Sequence, residues 1–143
     1  MELLSNKVKV FVGKYELLLL FIIGLIILLK WISFPLINTI SIVVLLSISS
    51  MYMASGIGST NKENVLSKIS GMASGITVVG VLFSLLHWPN SIVMLLVGSL
   101  ALIGVLIGSR ALKLLKTEKF TQNKMIRLVV LIILAGFFLL DIV

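Results

Sequence analysis

The chain has 143 residues, of which 59% are apolar and 12% carry a charge. Soluble domains are typically about 45–50% apolar and about 25% charged. This composition, with a mean hydropathy of +1.24, therefore excludes an ordinary water-soluble globule. The chain contains no cysteine and one histidine, which excludes disulfides, thiolate metal sites, cysteine nucleophiles and any site that needs two histidines.

Five apolar stretches are long enough to form transmembrane helices, since a helix needs about 20 residues to cross a hydrocarbon core of about 30 Å. The stretches are 15–34, 36–54, 69–88, 90–109 and 125–143. Each is apolar all round and lacks the alternating polarity of barrel strands. The sequence predicts an all-α integral membrane protein with five transmembrane helices. The first stretch is too long for a signal peptide and no cleavage site follows it, so we expect it to be retained.

Pro35 and Pro89 separate neighbouring apolar stretches that have almost no polar sequence between them. Because proline lacks an N–H group and restricts the preceding residue, a helix should end before each one and restart after it. Such short connections produce antiparallel hairpins. The predicted segments are a basic arm 1–14, hairpin 15–54, loop 55–68, hairpin 69–109, basic segment 110–124 and helix 125–143.

Eleven of the twelve basic residues lie in the arm, in the 55–68 loop and in the 110–127 stretch. Lysine and arginine concentrate in cytoplasmic loops, so five crossings place the N-terminus in the cytoplasm and the C-terminus outside. The net charge of +7 then reflects topology and contact with anionic lipid headgroups rather than nucleic-acid binding. The stretch 111–119 is interpreted as a short amphipathic helix on the inner membrane surface.

Three ionisable residues form a predicted polar cluster at the outer interface: Lys30, His87 and Asp141. Asp141 ends its helix, where the helix dipole disfavours a carboxylate, so a cation should lie beside it. Lys30 is the expected partner, and His87 would respond to external pH if it joined them. The alternative is three separate residues that face headgroups and water. Glu16 and Arg127 are interpreted as helix-end residues at the inner face.

Small residues indicate where helices approach closely. The residues in this predicted packing set are Gly71, Gly75, Gly80, Gly104 and Gly108. Their spacing favours packing of the third helix on the fourth, and the alternative is generic lipid-facing sequence. Tryptophans favour membrane interfaces. The predicted anchors and turn residues are Trp31, Phe34, Pro35, Trp88 and Pro89.

Residues 28–35 read LLKWISFP and residues 82–89 read LFSLLHWP, which align without a gap at an offset of 54. Each motif connects two apolar spans. The alignment favours duplication of one helical hairpin, so that two tandem hairpins precede a fifth helix. The alternative explanation is that any two membrane hairpins share leucines and a turn proline.

The second motif, with His87, Trp88 and Pro89, resembles the N-terminal membrane hairpin of the gliding-motility GldL family of Bacteroidota. The first motif keeps a lysine, Lys30, and an aromatic–proline pair. The resemblance implies an inner-membrane subunit of a motor associated with gliding and type 9 secretion. In that family a glutamate in the second helix of the hairpin is thought to couple proton flow. Here the spans 36–54 and 90–109 contain no acidic residue, so we do not expect an independent proton-driven motor.

No catalytic, metal-binding or cofactor motif occurs in the sequence, so we expect neither an enzyme nor a cofactor. The leading hypothesis is a subunit of the bacterial inner membrane that packs against other membrane proteins or against itself. A homo-oligomeric channel or transporter is the first alternative, with the serines of the second span as its candidate lining. A membrane effector or immunity-type protein is the second.

Overall fold

A computed structural model describes residues 2–32, 36–57, 65–114 and 122–142, with side chains at 7–8, 10–32, 36–57, 65–110 and 124–140. These residues form five α-helices and no strand. The helices are α1 (Glu2–Trp31), α2 (Ile37–Ile57), α3 (Val65–Leu85), α4 (Ser91–Leu114) and α5 (Gln122–Ile142). The predicted all-helical fold is confirmed for the described part of the chain.

Four stretches are long and apolar enough to cross a membrane: Val10–Trp31, Ile37–Ile57, Val65–Leu85 and Ser91–Arg110. They correspond to the first four predicted spans. The structure therefore supports a multi-pass membrane protein with four candidate crossings. α5 does not meet the same criterion of length and apolar composition, so the predicted fifth crossing stays a prediction.

The described residues of the predicted arm, and the first residues of the predicted surface helix, extend α1 and α4. α1 is helical from Glu2, and its apolar span begins at Val10, five residues earlier than predicted. The backbone leaves helical geometry at Tyr15 (φ −108°, ψ 19°), so α1 is kinked there. The basic residues before the kink belong to the same helix as the apolar span. Residues 111–114 continue α4, and 115–119 lie outside the described residues.

The turn between α3 and α4 closes around His87. The His87 N–H donates to the Ser84 carbonyl (3.0 Å) and the Trp88 N–H to the Phe83 carbonyl (2.8 Å), the pair of bonds that defines a Schellman motif. His87 therefore occupies the position usually held by glycine, with φ 54°. A left-handed conformation costs a residue with a Cβ roughly 1–2 kcal/mol. This motif ends α3 before Pro89, so the helix stops three residues earlier than the predicted span.

The chain resumes in the same way after both prolines. Leu36 and Asn90 follow Pro35 and Pro89, and each has φ 67°. The carbonyl of each then accepts the N–H four residues later, from Ile40 (3.1 Å) and from Met94 (3.2 Å). Two positions 54 residues apart thus share backbone conformation and hydrogen bonding.

α3 lies at the centre of the bundle, where it contacts α2, α4 and α5. α1 packs against α2 and α5, and α5 also contacts α4. Twelve residues of α3 are buried, the largest buried share of the four span-like helices. Helices alternate in direction along the chain, so the two turns share one end of the bundle, and the starts of α1, α3 and α5 share the other.

The glycines of α3 bring it against two helices. A Cβ on Gly71 would lie 2.7 Å from the Gly56 Cα and from the Tyr52 carbonyl oxygen, both on α2. Gly75 lies against Ser49 and Met53, also on α2. The predicted packing of this pair on α4 is wrong: the Gly71 and Gly75 face packs on α2, since Gly56 there offers a matching surface without a side chain.

Other small residues form the α3–α4 contact. Gly80 lies against Leu95, with the backbone nitrogen 3.0 Å from an added Cβ, and Gly98 lies against Thr77. A Cβ added to Gly108 would lie 3.7 Å from the methyl carbons of Leu66, whereas a Cβ added to Gly104 would have no neighbour within 4 Å. The predicted contact between α3 and α4 exists, but Gly104 lies outside it.

We predict opposite effects for the same substitution at two glycines. Gly71→Ala should destabilise the bundle by about 1–3 kcal/mol, because its methyl group meets backbone atoms and forces α2 and α3 apart. Gly104→Ala is the matched control, and should leave stability unchanged or raise it by up to about 1 kcal/mol through better helix propensity. Thermal unfolding in detergent measures both. Equal melting temperatures for the two variants would contradict the α2–α3 contact.

Candidate functional site: a buried ion pair between helices

Glu16 and Arg127 lie on the inward faces of α1 and α5. The buried residues of α1 recur at helical spacing: Val12, Glu16, Leu19, Ile23 and Ile26. Those of α5 do the same: Arg127, Leu128, Leu131, Ala135 and Phe138. A charged residue thus occupies a core position on each helix. Because α1 and α5 are neighbours, the two core faces bring the charges together.

The two side chains form a direct ion pair. Arg127 Nη1 lies 2.7 Å from Glu16 Oε1, and the two side chains are 4% and 1% exposed. The second guanidinium nitrogen, Nη2, donates to Ser70 Oγ on α3 at 2.8 Å. Arg127 therefore joins α5 to α1 and to the central helix at the same time.

Tyr52 of α2 completes the surroundings of the guanidinium. Its ring centroid lies 5.0 Å from Arg127 Cζ, within the range of a cation–π interaction. The close approach of Gly56 and Gly71 brings α2 against α3 at this level. It thereby places Tyr52 and Ser70 beside the same arginine.

A second cation lies near the start of α5. Lys124 Nζ is 3.3 Å from Ser67 Oγ on α3. This lysine and the ion pair border one cavity of about 20 Å³, which is lined by Val12, Gly13, Glu16, Ser55, Ser67, Lys124 and Arg127. That volume accommodates about one water molecule. Among the described residues, Glu16 Oε2, Tyr52 Oη and Arg127 Nε have no protein hydrogen-bond partner.

The arrangement stabilises one packing of the helices. Removing one member of a buried pair leaves the other charge unsatisfied, which costs about 3–5 kcal/mol. A different rotation of α1 or α5 would have the same consequence, because it would separate the two charges. Within the described residues no cluster of His, Asp or Glu has the composition of a metal site.

The ion pair was missed in the sequence because each member was assigned to a helix end. Glu16 follows the basic residues of the arm, and a carboxylate at the start of a span has a local explanation in the helix dipole. A better signal was available. Two of the five acidic residues, Glu16 and Asp141, fall within predicted spans, and charges inside spans usually pair with one another.

Two residues of the predicted outer cluster lie at the same end of the bundle. Lys30 and His87 line one cavity of about 310 Å³ with Trp31, Ser84 and Phe138. Lys30 Nζ donates to Asn38 Oδ1 on α2. The side chain of Asp141 lies outside the described residues, so the predicted Lys30–Asp141 pair stays a prediction.

Three of the predicted anchor and turn residues, Trp31, Trp88 and Pro89, lie at the turn end of the bundle. Trp31 is 81% exposed and Trp88 44% exposed, and the Trp88 ring packs edge-on against Phe83 with centroids 5.1 Å apart. Pro89 is exposed in the second turn, whereas Phe34 and Pro35 lie outside the described residues.

The serine hydroxyls of α2 are bonded within the bundle. Ser41, Ser47 and Ser50 donate to carbonyls of their own helix at 2.6–2.8 Å. Ser49 donates to the Gly75 carbonyl of α3 at 3.0 Å. In spans such bonds satisfy the hydroxyl locally, and the Ser49 bond adds a polar link between α2 and α3.

Fold and site together define a class: a helical bundle with four helices able to span a membrane and a charge pair at its core. Comparison with protein families, with curated proteins and with solved structures finds no match for the chain.

We predict strong energetic coupling between Glu16 and Arg127. Glu16→Gln and Arg127→Gln should each destabilise the bundle by about 3–5 kcal/mol, because each leaves a buried charge unpaired. The double variant should lose less than the sum of the two by about 0.5–3 kcal/mol. Unfolding in detergent measures the cycle.

Arg110→Gln serves as the charge-matched control for this cycle, since Arg110 is exposed on α4. We expect its stability to stay within about 0.5 kcal/mol of the parent chain. Strict additivity of the two Glu16 and Arg127 substitutions would show that the pair does not hold α5 in place.

Proposed function

We propose that the chain is a non-enzymatic integral subunit of a bacterial inner membrane that packs against other membrane proteins. One observation carries the proposal: the ion pair and the serine hydroxyls of α2 are engaged inside the bundle, while its exterior is apolar. Arg127 pairs with Glu16 and donates to Ser70 at the core. Outward residues of the helices are large and apolar, for example Phe21, Leu100 and Ile133 at 65–71% exposure.

The exterior supports membrane embedding on energetic grounds. Soluble monomers rarely expose contiguous apolar patches beyond a few hundred Å². Here α4 exposes a run of outward apolar residues along its length: Val93, Leu96, Val97, Leu100, Ile103 and Ile107. Such an apolar face is stable against lipid or against a neighbouring transmembrane helix.

We extend the proposal to a fifth crossing by α5, with the N-terminus in the cytoplasm and the C-terminus in the periplasm. Residues 128–140 of α5 contain no charged residue. The starts of α1, α3 and α5 lie at one end of the bundle, and eleven of the twelve basic residues fall in the sequence segments 1–14, 55–68 and 110–127 that precede or include those starts. The positive-inside tendency then favours that end as cytoplasmic.

The same proposal includes duplication of a hairpin. Nine buried positions of the first hairpin are matched by buried positions 54 residues later. They are Glu16, Leu19, Ile23, Ile26, Ile37, Ser41, Leu45, Ile48 and Ser55. Glu16 and its counterpart Ser70 both contact Arg127, so α5 meets the same position in each hairpin.

Kinship with the GldL family remains part of the proposal and is supported by the turn residues alone. The buried carboxylate of this chain lies in the first helix of its hairpin and is paired with an arginine. That position differs from the proton-coupling position implied by the resemblance, which favours an accessory role over an independent motor. The serine bonds of α2 likewise favour packing over the alternative of a water-filled pore.

Cysteine labelling tests the proposed orientation, since the chain has no native cysteine. We expect Asn90→Cys, in the second turn, to react with an impermeant maleimide added outside intact spheroplasts. Ser59→Cys, in the loop between α2 and α3, should react only after lysis. The reverse pattern would invert the topology, and a tag appended after Val143 that is protected from external protease would contradict the fifth crossing.

Purification in mild detergent tests the subunit hypothesis. We expect the tagged chain to co-purify with other integral membrane proteins at fixed stoichiometry, and a tag on that partner to recover the chain. Leu100→Gln on the exposed face of α4 should weaken a contact there while the isolated chain unfolds at an unchanged temperature. A discrete homo-oligomer that passes ions in liposomes would instead support the channel alternative.

A further inference from the structure

The cavity at the turn end of the bundle has the composition of a site for an anionic amphiphile. Its volume is about 310 Å³, at the lower end of the usual range for small-molecule sites. Lys30, Ser84 and His87 contribute its polar groups, and Trp31, Phe137 and Phe138 contribute aromatic surface. We propose that this cavity binds the phosphate headgroup of an anionic phospholipid from the adjacent leaflet. The inference rests on the proposed membrane placement.

Charge favours an anion at this position. Lys30 uses one of its three donors on Asn38 Oδ1, and an ammonium group has further donors for phosphate oxygens. An imidazole N–H on His87 and the hydroxyl of Ser84 add two more donors from the end of α3. Among the described side chains the partner of Lys30 is the neutral amide of Asn38 on α2, so no described carboxylate offsets the lysine charge at the cavity.

The backbone at His87 gives an independent reason to assign it a ligand. His87 holds the left-handed position of a Schellman motif, with φ 54°, where glycine would avoid the steric cost. A strained residue beside a cavity points to a side chain that is needed there. His87 lines the cavity, as a donor to a headgroup phosphate must.

The rim indicates a lipid rather than a soluble anion. Trp31 on α1 and Phe137 on α5 are 81% and 54% exposed while they also line the cavity. Aromatic residues favour the level of the headgroups. An acyl chain leaving the cavity would therefore meet apolar side chains of α1 and α5 such as Leu28 and Ile133, which are 60% and 66% exposed.

Fluorescence of Trp31 tests the site in detergent, without reference to topology or partners. The chain has two tryptophans, so Trp88→Phe leaves Trp31 as the reporter. Short-chain phosphatidylglycerol, short-chain phosphatidylcholine and inorganic phosphate are titrated separately. We expect saturable quenching or a spectral shift with phosphatidylglycerol, and binding about fivefold weaker with phosphatidylcholine, which lacks a net negative charge. Equal affinity for the two lipids, or saturation by phosphate alone at the same concentration, would overturn the proposal.

Three variants in the reporter background separate binding from folding. Lys30→Met should weaken phosphatidylglycerol binding about fivefold, the effect of removing one interfacial cation. His87→Gly should weaken it while the melting temperature stays equal or rises, because glycine suits the left-handed position. Lys68→Met, the same charge change at the opposite end, should leave affinity unchanged. Unaltered binding in both Lys30→Met and His87→Gly would refute the assignment.

The α5 backbone places residue 141 one turn beyond Phe138, at the same end of the bundle. Removing a negative charge from this end favours an anion there, and Asp141→Asn should therefore tighten phosphatidylglycerol binding. Weaker binding in this variant would contradict an anion site. Failure of these titrations would leave the co-purification result untouched, so the lipid site and the subunit hypothesis are tested separately.

Discussion

The pairing of Arg127 with Glu16 constrains the whole bundle. A charged group inside hydrocarbon or a dry core is costly unless it is matched, so α5 must present Arg127 to α1. That requirement sets the rotation of α5 about its axis. It directs Leu131 and Ala135 into the core, where both are fully buried, and turns Ile133 and Leu140 outward.

Close packing of glycines makes this pairing compatible with the central helix. In a membrane, neighbouring helices gain little from the hydrophobic effect, so contact and polar bonds must hold them together. The Gly56–Gly71 contact allows α2 and α3 to touch at backbone distance. Only at that separation do Tyr52 and Ser70 reach the same guanidinium, so the polar and the apolar contacts depend on one another.

Sequence patterns predict the helices better than they predict the helix neighbours. Span length and the prolines at 35 and 89 predict both ends of α2 and α3 to within four residues, because chain geometry and hydrocarbon thickness are local constraints. The start of α1 was missed by 13 residues, since its first turns are polar. The sequence does not predict which helices pack together, because a helix that is apolar all round has no polar face to distinguish its outer side from its inner side. Gly71 illustrates this: its spacing to Gly75 signals a close contact, but it does not specify α2 or α4.

Burial also determines what kind of partner each cation has. Arg127, at the core, needs a full negative charge, and Glu16 supplies it. Lys30 is half-buried near the opposite end, and solvent or headgroups can share its charge, so the neutral amide of Asn38 suffices within the protein. The charge of Arg127 is thereby matched within the chain, and this pair serves the fold. No described carboxylate matches the charge of Lys30, which lines a cavity, so this end of the bundle is suited to an external anion.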